Sequence, residues 1–97
     1  MTTHIVRYRT HPEHIEENQR LIREVFAELA RSPLAGVRYQ ATCTAEGEFT
    51  HVVSYDEAAD EGSLPRLASF QRFQAGIRER CAEPPKRAQV TLVGSFG

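Results

Sequence analysis

The alternation of apolar and polar residues along this chain predicts four β-strands, because a period of two is typical of strands with one buried face. The predicted strands are residues 3–10, 36–44, 48–55 and 87–96. The side expected to face a core carries His4, Val6, Tyr8, Val37, Tyr39, Ala41, Cys43, Phe49, His51, Val53, Tyr55, Ala88, Val90, Leu92 and Phe96. The opposite side carries Ile5, Arg7, Arg9, Arg38, Gln40, Thr42, Thr50, Val52, Ser54, Gln89, Thr91 and Val93.

Two segments with apolar residues at three- and four-residue steps predict two amphipathic helices. Before the first, Thr10–Glu13 is typical of a capping box, and the proline within it suits a first helical turn. This helix is expected to end near Arg31. Ser63 is the predicted N-cap of the second helix, whose apolar stripe reaches Cys81 before the prolines of residues 83–85 end it.

The order of these elements predicts the fold class. A three-residue turn with Gly47 in the left-handed conformation would place the apolar faces of the second and third strands on the same side, whereas a two-residue turn would separate them. Burial favours the longer turn. Residues 1–97 are therefore expected to form one α+β domain, a ferredoxin-like βαββαβ two-layer sandwich with a four-stranded antiparallel sheet and both helices on one face.

Composition limits the partners that this chain is expected to have. Its 97 residues carry a net charge of −1, so no overall positive field favours nucleic acid. The apolar runs are far shorter than a membrane span, and the N-terminal residues lack a signal-peptide pattern, so we expect a cytoplasmic protein that does not enter membranes. The two cysteines are too few for a disulfide scaffold.

The polar side of the predicted sheet indicates self-association. A domain of this size buries a modest share of its surface, and Ile5, Val52 and Val93 would be left uncovered on that side. A homodimer through the exposed sheet face would cover them, while a solvated face on a monomer is the alternative.

The element order, the opening segment Ile5–Glu13 and the acidic loop that leads into residues 64–73 resemble the dimeric α+β barrel superfamily, and within it the antibiotic-biosynthesis-monooxygenase-like group. This resemblance implies a dimeric α/β barrel with a pocket between sheet and helices, and oxidation by molecular oxygen without metal or flavin. Haem-degrading relatives carry an axial His on the second helix, where this chain has Leu64, Pro65 and Leu67, so no haem is implied.

The candidate site follows from the strand faces and from the pocket that the resemblance implies. Tyr8, Tyr39 and Tyr55 share the core-facing side with His51, the proposed catalytic base, and the tyrosines would position a substrate. Asn18 on the first helix, with Gln74 on the second, could point into the same pocket. The alternative is that these side chains are ordinary members of the core.

Three functions remain open at this point. The first is a cofactor-independent monooxygenase-like protein that binds a small aromatic, quinol or polyketide-type molecule. The second is a non-catalytic ligand-binding or structural dimer, and the third is a lactone isomerase or lyase. His11 and His14 at the head of the first helix are the only suggestion of a metal site, and a helix N-terminus disfavours imidazolium there. We therefore expect no metal and no cofactor.

Overall fold

A computed structural model describes all 97 residues. The elements in chain order are β1 (Thr2–Thr10), α1 (Ile15–Arg31), β2 (Val37–Cys43), β3 (Glu48–Tyr55), α2 (Ala68–Gln74), α3 (Ile77–Arg80) and β4 (Cys81–Val90). The strands form one antiparallel sheet in the order β2-β3-β1-β4. The predicted α+β ferredoxin-like class is confirmed, with three α-helices in place of two.

The turn between β2 and β3 follows the prediction. Gly47 has a φ of +88°, which is the left-handed conformation that glycine adopts without steric cost. Cys43 then pairs with Phe49, and Val37 pairs with Tyr55, so the apolar residues of both strands face the helices. A three-residue turn therefore sets the register that brings Tyr39 and His51 to the same side of the sheet.

The predicted capping box at the start of the first helix is wrong. Thr10 remains part of β1, where its backbone N–H donates to the carbonyl of Gly47 at 3.0 Å. Its hydroxyl is buried without any hydrogen-bond partner. Residues 12–14 form a 3-10 turn, and α1 begins only at Ile15. His11 is still extended and occupies the position before the 3-10 turn, so the helical turn begins one residue too late for Thr10 to cap it.

The predicted long second helix is also wrong, because it is divided into two short helices. Ser63 does not cap a helix, since its hydroxyl donates to the carbonyl of Asp60 at 2.7 Å within a turn. Gly76 has a φ of +75° and separates α2 from α3. This break reorients the chain after α2, so that Arg80 at the end of α3 turns back toward the core.

The last strand begins six residues earlier than predicted and ends at Val90. Pro84 and Pro85 lie within it instead of stopping a helix. The β1–β4 ladder shifts register at this point and pairs neither proline, so the missing N–H groups cost no hydrogen bond of the sheet. Ile5 pairs with Ala88 and Thr3 pairs with Val90. Ala88 and Val90 therefore lie on the outer face, opposite to the prediction, and Gln89 lies on the helix side.

Segment 91–97 follows β4 without further strand structure. The prediction that Leu92 and Phe96 face the core is wrong, because Leu92 is 58% exposed and Phe96 is fully exposed. The β1–β4 pairing is regular over residues 86–90, so the outer face of β1 fixes the outer face of this part of β4.

The core lies between the helices and the central strands. Its buried apolar residues are Tyr8, Ile22, Val25, Phe49, Leu64, Phe73 and Ile77. Phe49 is 1% exposed and its ring stacks on that of Tyr8, with 5.2 Å between the ring centroids. Packing on this face fixes the tyrosine whose hydroxyl enters the site described next.

Candidate functional site

Three strands bring two tyrosines and a histidine together on the helix side of the sheet. Val6 of β1 pairs with His51, so Tyr8 lies diagonally next to His51 across the β1–β3 ladder. Tyr39 of β2 pairs with Val53 and lies diagonally on the other side of His51. Diagonal neighbours in a sheet lie within reach of long aromatic side chains. The imidazole is therefore placed between two phenol groups.

Both ring nitrogens of His51 are engaged by these phenols. The Tyr8 hydroxyl lies 2.8 Å from Nε2, and the Tyr39 hydroxyl lies 2.6 Å from Nδ1. Both distances are typical of strong hydrogen bonds. The three rings also stack, with centroids 5.4 Å apart for Tyr8 and His51 and 5.8 Å apart for Tyr39 and His51. Packing and hydrogen bonding together hold the His51 imidazole in one orientation between the two tyrosines.

The chain of hydrogen bonds continues from Tyr8 into the helices. Asn18 of α1 is fully buried, and its Nδ2 donates to the Tyr8 hydroxyl at 2.8 Å. The Nε of Arg80, from α3, donates to the other end of that amide, Oδ1, at 2.9 Å. Five side chains, Arg80, Asn18, Tyr8, His51 and Tyr39, thus form one unbroken chain, which we call the relay.

Arg80 is buried without a carboxylate partner. It is 4% exposed, and the ion pairs of the structure do not include it. Its two terminal nitrogens donate to the carbonyls of Ala75 and Phe73 at 3.0 and 2.5 Å, at the end of α2, where helix carbonyls lack partners in the helix. The guanidinium also lies 5.7 Å from the centroid of the Phe73 ring. Two backbone carbonyl dipoles and the face of the Phe73 ring therefore stabilise the guanidinium in place of a carboxylate.

Burial favours the neutral forms of His51 and of the two tyrosines. It lowers the pKa of His51 to about 4, so the imidazole is neutral near pH 7. Burial also raises the pKa of Tyr8 and of Tyr39 well above the ordinary value for a phenol. For Tyr8, the hydrogen bond from Asn18 and the charge of Arg80 act in the opposite direction.

A small cavity borders the relay. Its volume is about 120 Å³, and eight of its eleven lining residues are hydrophobic. The lining residues are Val6, Tyr8, Tyr39, His51, Val53, Leu64, Phe70, Phe73, Gln74, Ile77 and Pro85. A larger groove of about 310 Å³ lies between α1 and β2, but no His, Tyr, Asp or Glu lines it. Apolar walls with a few converging polar groups are typical of small-molecule sites, so the smaller cavity is the better candidate.

The structure brings together four of the five residues that the sequence singled out. His51, Tyr8 and Tyr39 line the cavity, and Asn18 reaches them through Tyr8. Tyr55 is buried on the same side of the sheet, but it neither lines the cavity nor forms a hydrogen bond with the relay. Gln74 lies on the cavity wall.

Arg80 is the member of the site that the sequence reasoning missed. It follows Phe73 and Ile77 at spacings of seven and three residues, so it interrupts an apolar helical stripe. A charged residue on such a stripe is a signal that was available from the sequence. The contact that Arg80 makes could not be predicted from this pattern, because the turn at Gly76 directs its side chain toward Asn18 of another helix.

Other parts of the molecule offer less chemistry. His11 and His14 have their rings 6.4 Å apart, and His14 instead bonds the Glu17 carboxylate at 3.1 Å. No group of three or more His, Cys, Asp or Glu side chains converges anywhere in the structure. None of the helices combines the length and apolar character needed to span a bilayer.

Comparison with known proteins gives matches in structure only. No protein-family model matches the chain, and no curated protein matches it. A solved antibiotic biosynthesis monooxygenase superposes with a TM-score of 0.77 at 18% identity, covering 97% of this chain and all of that one. Rv0793 from Mycobacterium tuberculosis gives the same TM-score at 14% identity, covering 99% and 98% of the two chains.

A third solved structure, PA3566 from Pseudomonas aeruginosa, has a TM-score of 0.74 at 23% identity and covers 96% of this chain and 94% of its own. Nearly complete coverage in both directions shows that the whole chain, and not a fragment of it, follows this arrangement of strands and helices. The protein therefore shares its fold with a solved antibiotic biosynthesis monooxygenase, with Rv0793 and with PA3566.

Proposed function

We propose that this protein binds a small phenol or quinol in the cavity beside His51 and oxidises it with molecular oxygen without a metal or an organic cofactor. The observation that carries the proposal is an apolar cavity whose polar wall consists of the Tyr8, His51 and Tyr39 side chains. The fold shared with a solved antibiotic biosynthesis monooxygenase supports the type of chemistry.

The size of the cavity limits the ligand. An engineered apolar cavity of about 150 Å³ accepts one benzene ring. The cavity here has about 120 Å³ and is comparable in size, so a single ring is the ligand that suits it. Phe70 and Phe73 supply flat apolar walls for such a ring, and the relay supplies polar contacts for its hydroxyl.

The chemistry needs no external reductant. A hydroquinone and one molecule of oxygen give a hydroxyquinone and one water. One oxygen atom enters the ring at a C–H position and the other leaves as water, while the ring supplies all four electrons. The protein needs only to bind the ring, favour the ionised hydroxyl that donates electrons, and exclude bulk water.

Oxygen consumption tests this proposal. Hydroquinone, catechol and their methyl derivatives would be offered to the wild type and to His51→Gln in an oxygen electrode, with autoxidation subtracted. His4→Gln is the matched control, because His4 is a buried histidine of β1 that does not line the cavity. We expect uptake with the wild type and the control, and at least a tenfold loss of kcat/KM in His51→Gln, which corresponds to about 1.4 kcal/mol.

Three other results would change the assignment. Saturable binding of these phenols without oxygen uptake would make the protein a ligand-binding protein and not an oxygenase. Equal oxygen uptake by the wild type and His51→Gln would remove His51 from the reaction. Absence of both binding and uptake across the panel would overturn the proposed function.

We also propose that two copies associate through the open face of the sheet. Ile5 pairs with Val52 on one side and with Ala88 on the other, so an apolar row crosses three strands on that face. Beyond β4, Val93 is 96% exposed. Burying such surface in a second copy is favourable, at about 25 cal/mol per Å² of apolar area.

Light scattering coupled to size-exclusion chromatography tests this association. We expect a dimer of about twice 11.0 kDa for the wild type and a monomer for Ile5→Glu. Gln71→Glu is the control for the added charge, because Gln71 is an exposed residue of α2, on the other side of the sheet from the proposed interface. A wild-type monomer at micromolar concentration would refute the proposal.

A further inference from the structure

The relay has a direction, and Arg80 sets it. A guanidinium can only donate hydrogen bonds, so the bond from Arg80 Nε fixes Oδ1 as the end of the Asn18 amide that faces it. The other end, Nδ2, then donates to the Tyr8 hydroxyl. That hydroxyl has one hydrogen of its own, and the only acceptor beside it is Nε2 of His51.

The direction continues through the imidazole. If Tyr8 donates to Nε2, a neutral His51 carries its proton on Nδ1 and donates it to the Tyr39 hydroxyl. The Tyr39 hydrogen then has no acceptor within the protein. The opposite tautomer would give the Tyr39 hydrogen an acceptor, Nδ1 of His51, but would leave the hydrogen of the Tyr8 hydroxyl without one. Both tyrosines line the cavity, but Tyr8 is 5% exposed and its hydroxyl lies between Asn18 and His51, whereas Tyr39 is half-buried. The hydrogen without a protein acceptor therefore belongs at Tyr39, where solvent or a ligand can accept it.

We infer that Arg80 is a positioning residue which, through Asn18 and Tyr8, fixes His51 as the Nδ1–H tautomer and makes Tyr39 the hydrogen-bond donor to the ligand. The ligand that fits such a donor presents an acceptor oxygen, namely a carbonyl or an ionised ring hydroxyl. This inference rests on the proposed site and refines the part played by His51. With both nitrogens engaged, His51 polarises Tyr39 and does not take a proton directly from the ligand.

The positive charge at the start of the relay supports the same ligand class. Arg80 has no carboxylate partner, so its charge remains available to oppose a negative charge elsewhere in the buried site. Every hydrogen bond of the relay has its donor on the Arg80 side. An anionic oxygen bound at the Tyr39 end would therefore complete a chain that begins with a cation, with Tyr39 as the last donor.

Asn18→Asp provides a sharp test because it changes one atom type and keeps the shape of the side chain. The carboxylate would accept from Arg80 at one oxygen and from the Tyr8 hydroxyl at the other. Tyr8 would then accept from Nε2–H of His51, and Tyr39 would donate to Nδ1. The direction of the relay between Tyr8 and Tyr39 is thereby reversed, and the new ion pair with Arg80 favours folding.

Long-range ¹H–¹⁵N correlation spectra of histidine rings distinguish the two tautomers directly. The His51 signals are identified by their loss in His51→Gln. We expect the Nδ1–H tautomer in the wild type, the Nε2–H tautomer in Asn18→Asp, and the wild-type pattern in the control Gln19→Glu, which makes the same change at the neighbouring, half-buried position. An Nε2–H wild type, or an unchanged tautomer in Asn18→Asp, would overturn the inference.

Arg80 itself is tested by Arg80→Met and Arg80→Lys. The methionine removes the donor that orients Asn18, so we expect a mixture of both tautomers, while the lysine restores a donor and most of the Nδ1–H form. If Arg80→Met fails to fold, the Asn18→Asp result decides alone. A folded Arg80→Met with a pure Nδ1–H tautomer would contradict the role of Arg80.

The ligand class has its own measurement. Cyclohexanone can accept a hydrogen bond but cannot donate one, so we expect it to bind the wild type about tenfold more tightly than Asn18→Asp, the equivalent of one hydrogen bond. Equal affinities, or no binding to the wild type, would contradict an acceptor ligand. A reversed tautomer in Asn18→Asp without oxygen uptake by the wild type would uphold the relay and refute the proposed oxygenation.

Discussion

The buried imidazole of His51 makes the protein sensitive to mild acid. In the unfolded chain the pKa of His51 is close to the ordinary 6.5, whereas burial lowers it to about 4 in the folded protein. The unfolded state therefore binds a proton at a higher pH than the folded state does. The stabilisation that results is fully present above pH 6.5 and is lost as the pH falls from about 6.5 to about 4.

The structure gives the size of this effect. Each unit of pKa corresponds to about 1.4 kcal/mol, so the difference between the two states amounts to about 3 kcal/mol. His51 is only 6% exposed, and Tyr8 and Tyr39 cover both of its nitrogens, so water screens the new charge little. A loss of this size is a large part of the 5–15 kcal/mol that typically stabilises a domain.

Urea denaturation followed by circular dichroism at pH 7.5, 6.5, 5.5 and 4.5 measures the effect. The wild type is compared with His51→Gln, and the difference between their free energies of unfolding is plotted against pH. Hydrogen bonds lower the pKa of Glu28 and that of Asp60, whose titrations affect stability at lower pH and in both proteins alike, so they cancel in this difference. His4→Gln keeps His51 and should retain the acid sensitivity.

We expect the advantage of the wild type over His51→Gln to shrink by about 2–3 kcal/mol between pH 7.5 and pH 4.5, most of it below pH 6.5. Parallel pH profiles for the two proteins would refute the reasoning, because they would mean that His51 titrates alike in the folded and unfolded states. In that case the imidazole would have to be accessible to water, and its hydrogen bonds with Tyr8 and Tyr39 would not be shielded from solvent.

Two further predictions concern positions near the turn that sets the register. Thr10→Val replaces a hydroxyl that is buried without a partner, so we expect the free energy of unfolding in urea to rise by about 1 kcal/mol; a fall of similar size would show that the hydroxyl is satisfied. Gly47→Ala forces a side chain into a φ of +88°, with the new Cβ about 3.0 Å from the Ile15 side chain, and should lower the thermal midpoint through a loss of about 1–2 kcal/mol. An unchanged midpoint would contradict that account.

Sequence periodicity was sufficient for the first three strands and for the body of the first helix, because one buried face per element leaves a clear pattern. The β2–β3 turn followed from burial alone, since only one position of Gly47 puts Tyr39 and His51 on the same side. The last strand could not be placed in this way. Its register depends on the irregular pairing near Arg9, and as an edge strand with prolines it carries almost no burial pattern.

The candidate site was predictable in part for the same reason. Strand alternation placed Tyr8, Tyr39 and His51 on one face, but the same alternation also included Tyr55, because a period of two cannot say how far along a strand a pocket extends. Arg80 lies 62 residues from Asn18 in sequence, and their contact depends on the turn at Gly76. Such a long-range contact has no local signature.

The central claim is that the cavity between the sheet and the helices holds a small aromatic ring against the relay. A crystal structure of the protein grown with phenol tests it most directly. We predict density for one ring in this cavity against Phe70 and Phe73, with the phenol oxygen within hydrogen-bond distance of the Tyr39 hydroxyl. A cavity closed by the protein's own side chains, or phenol bound only elsewhere on the surface, would contradict the claim.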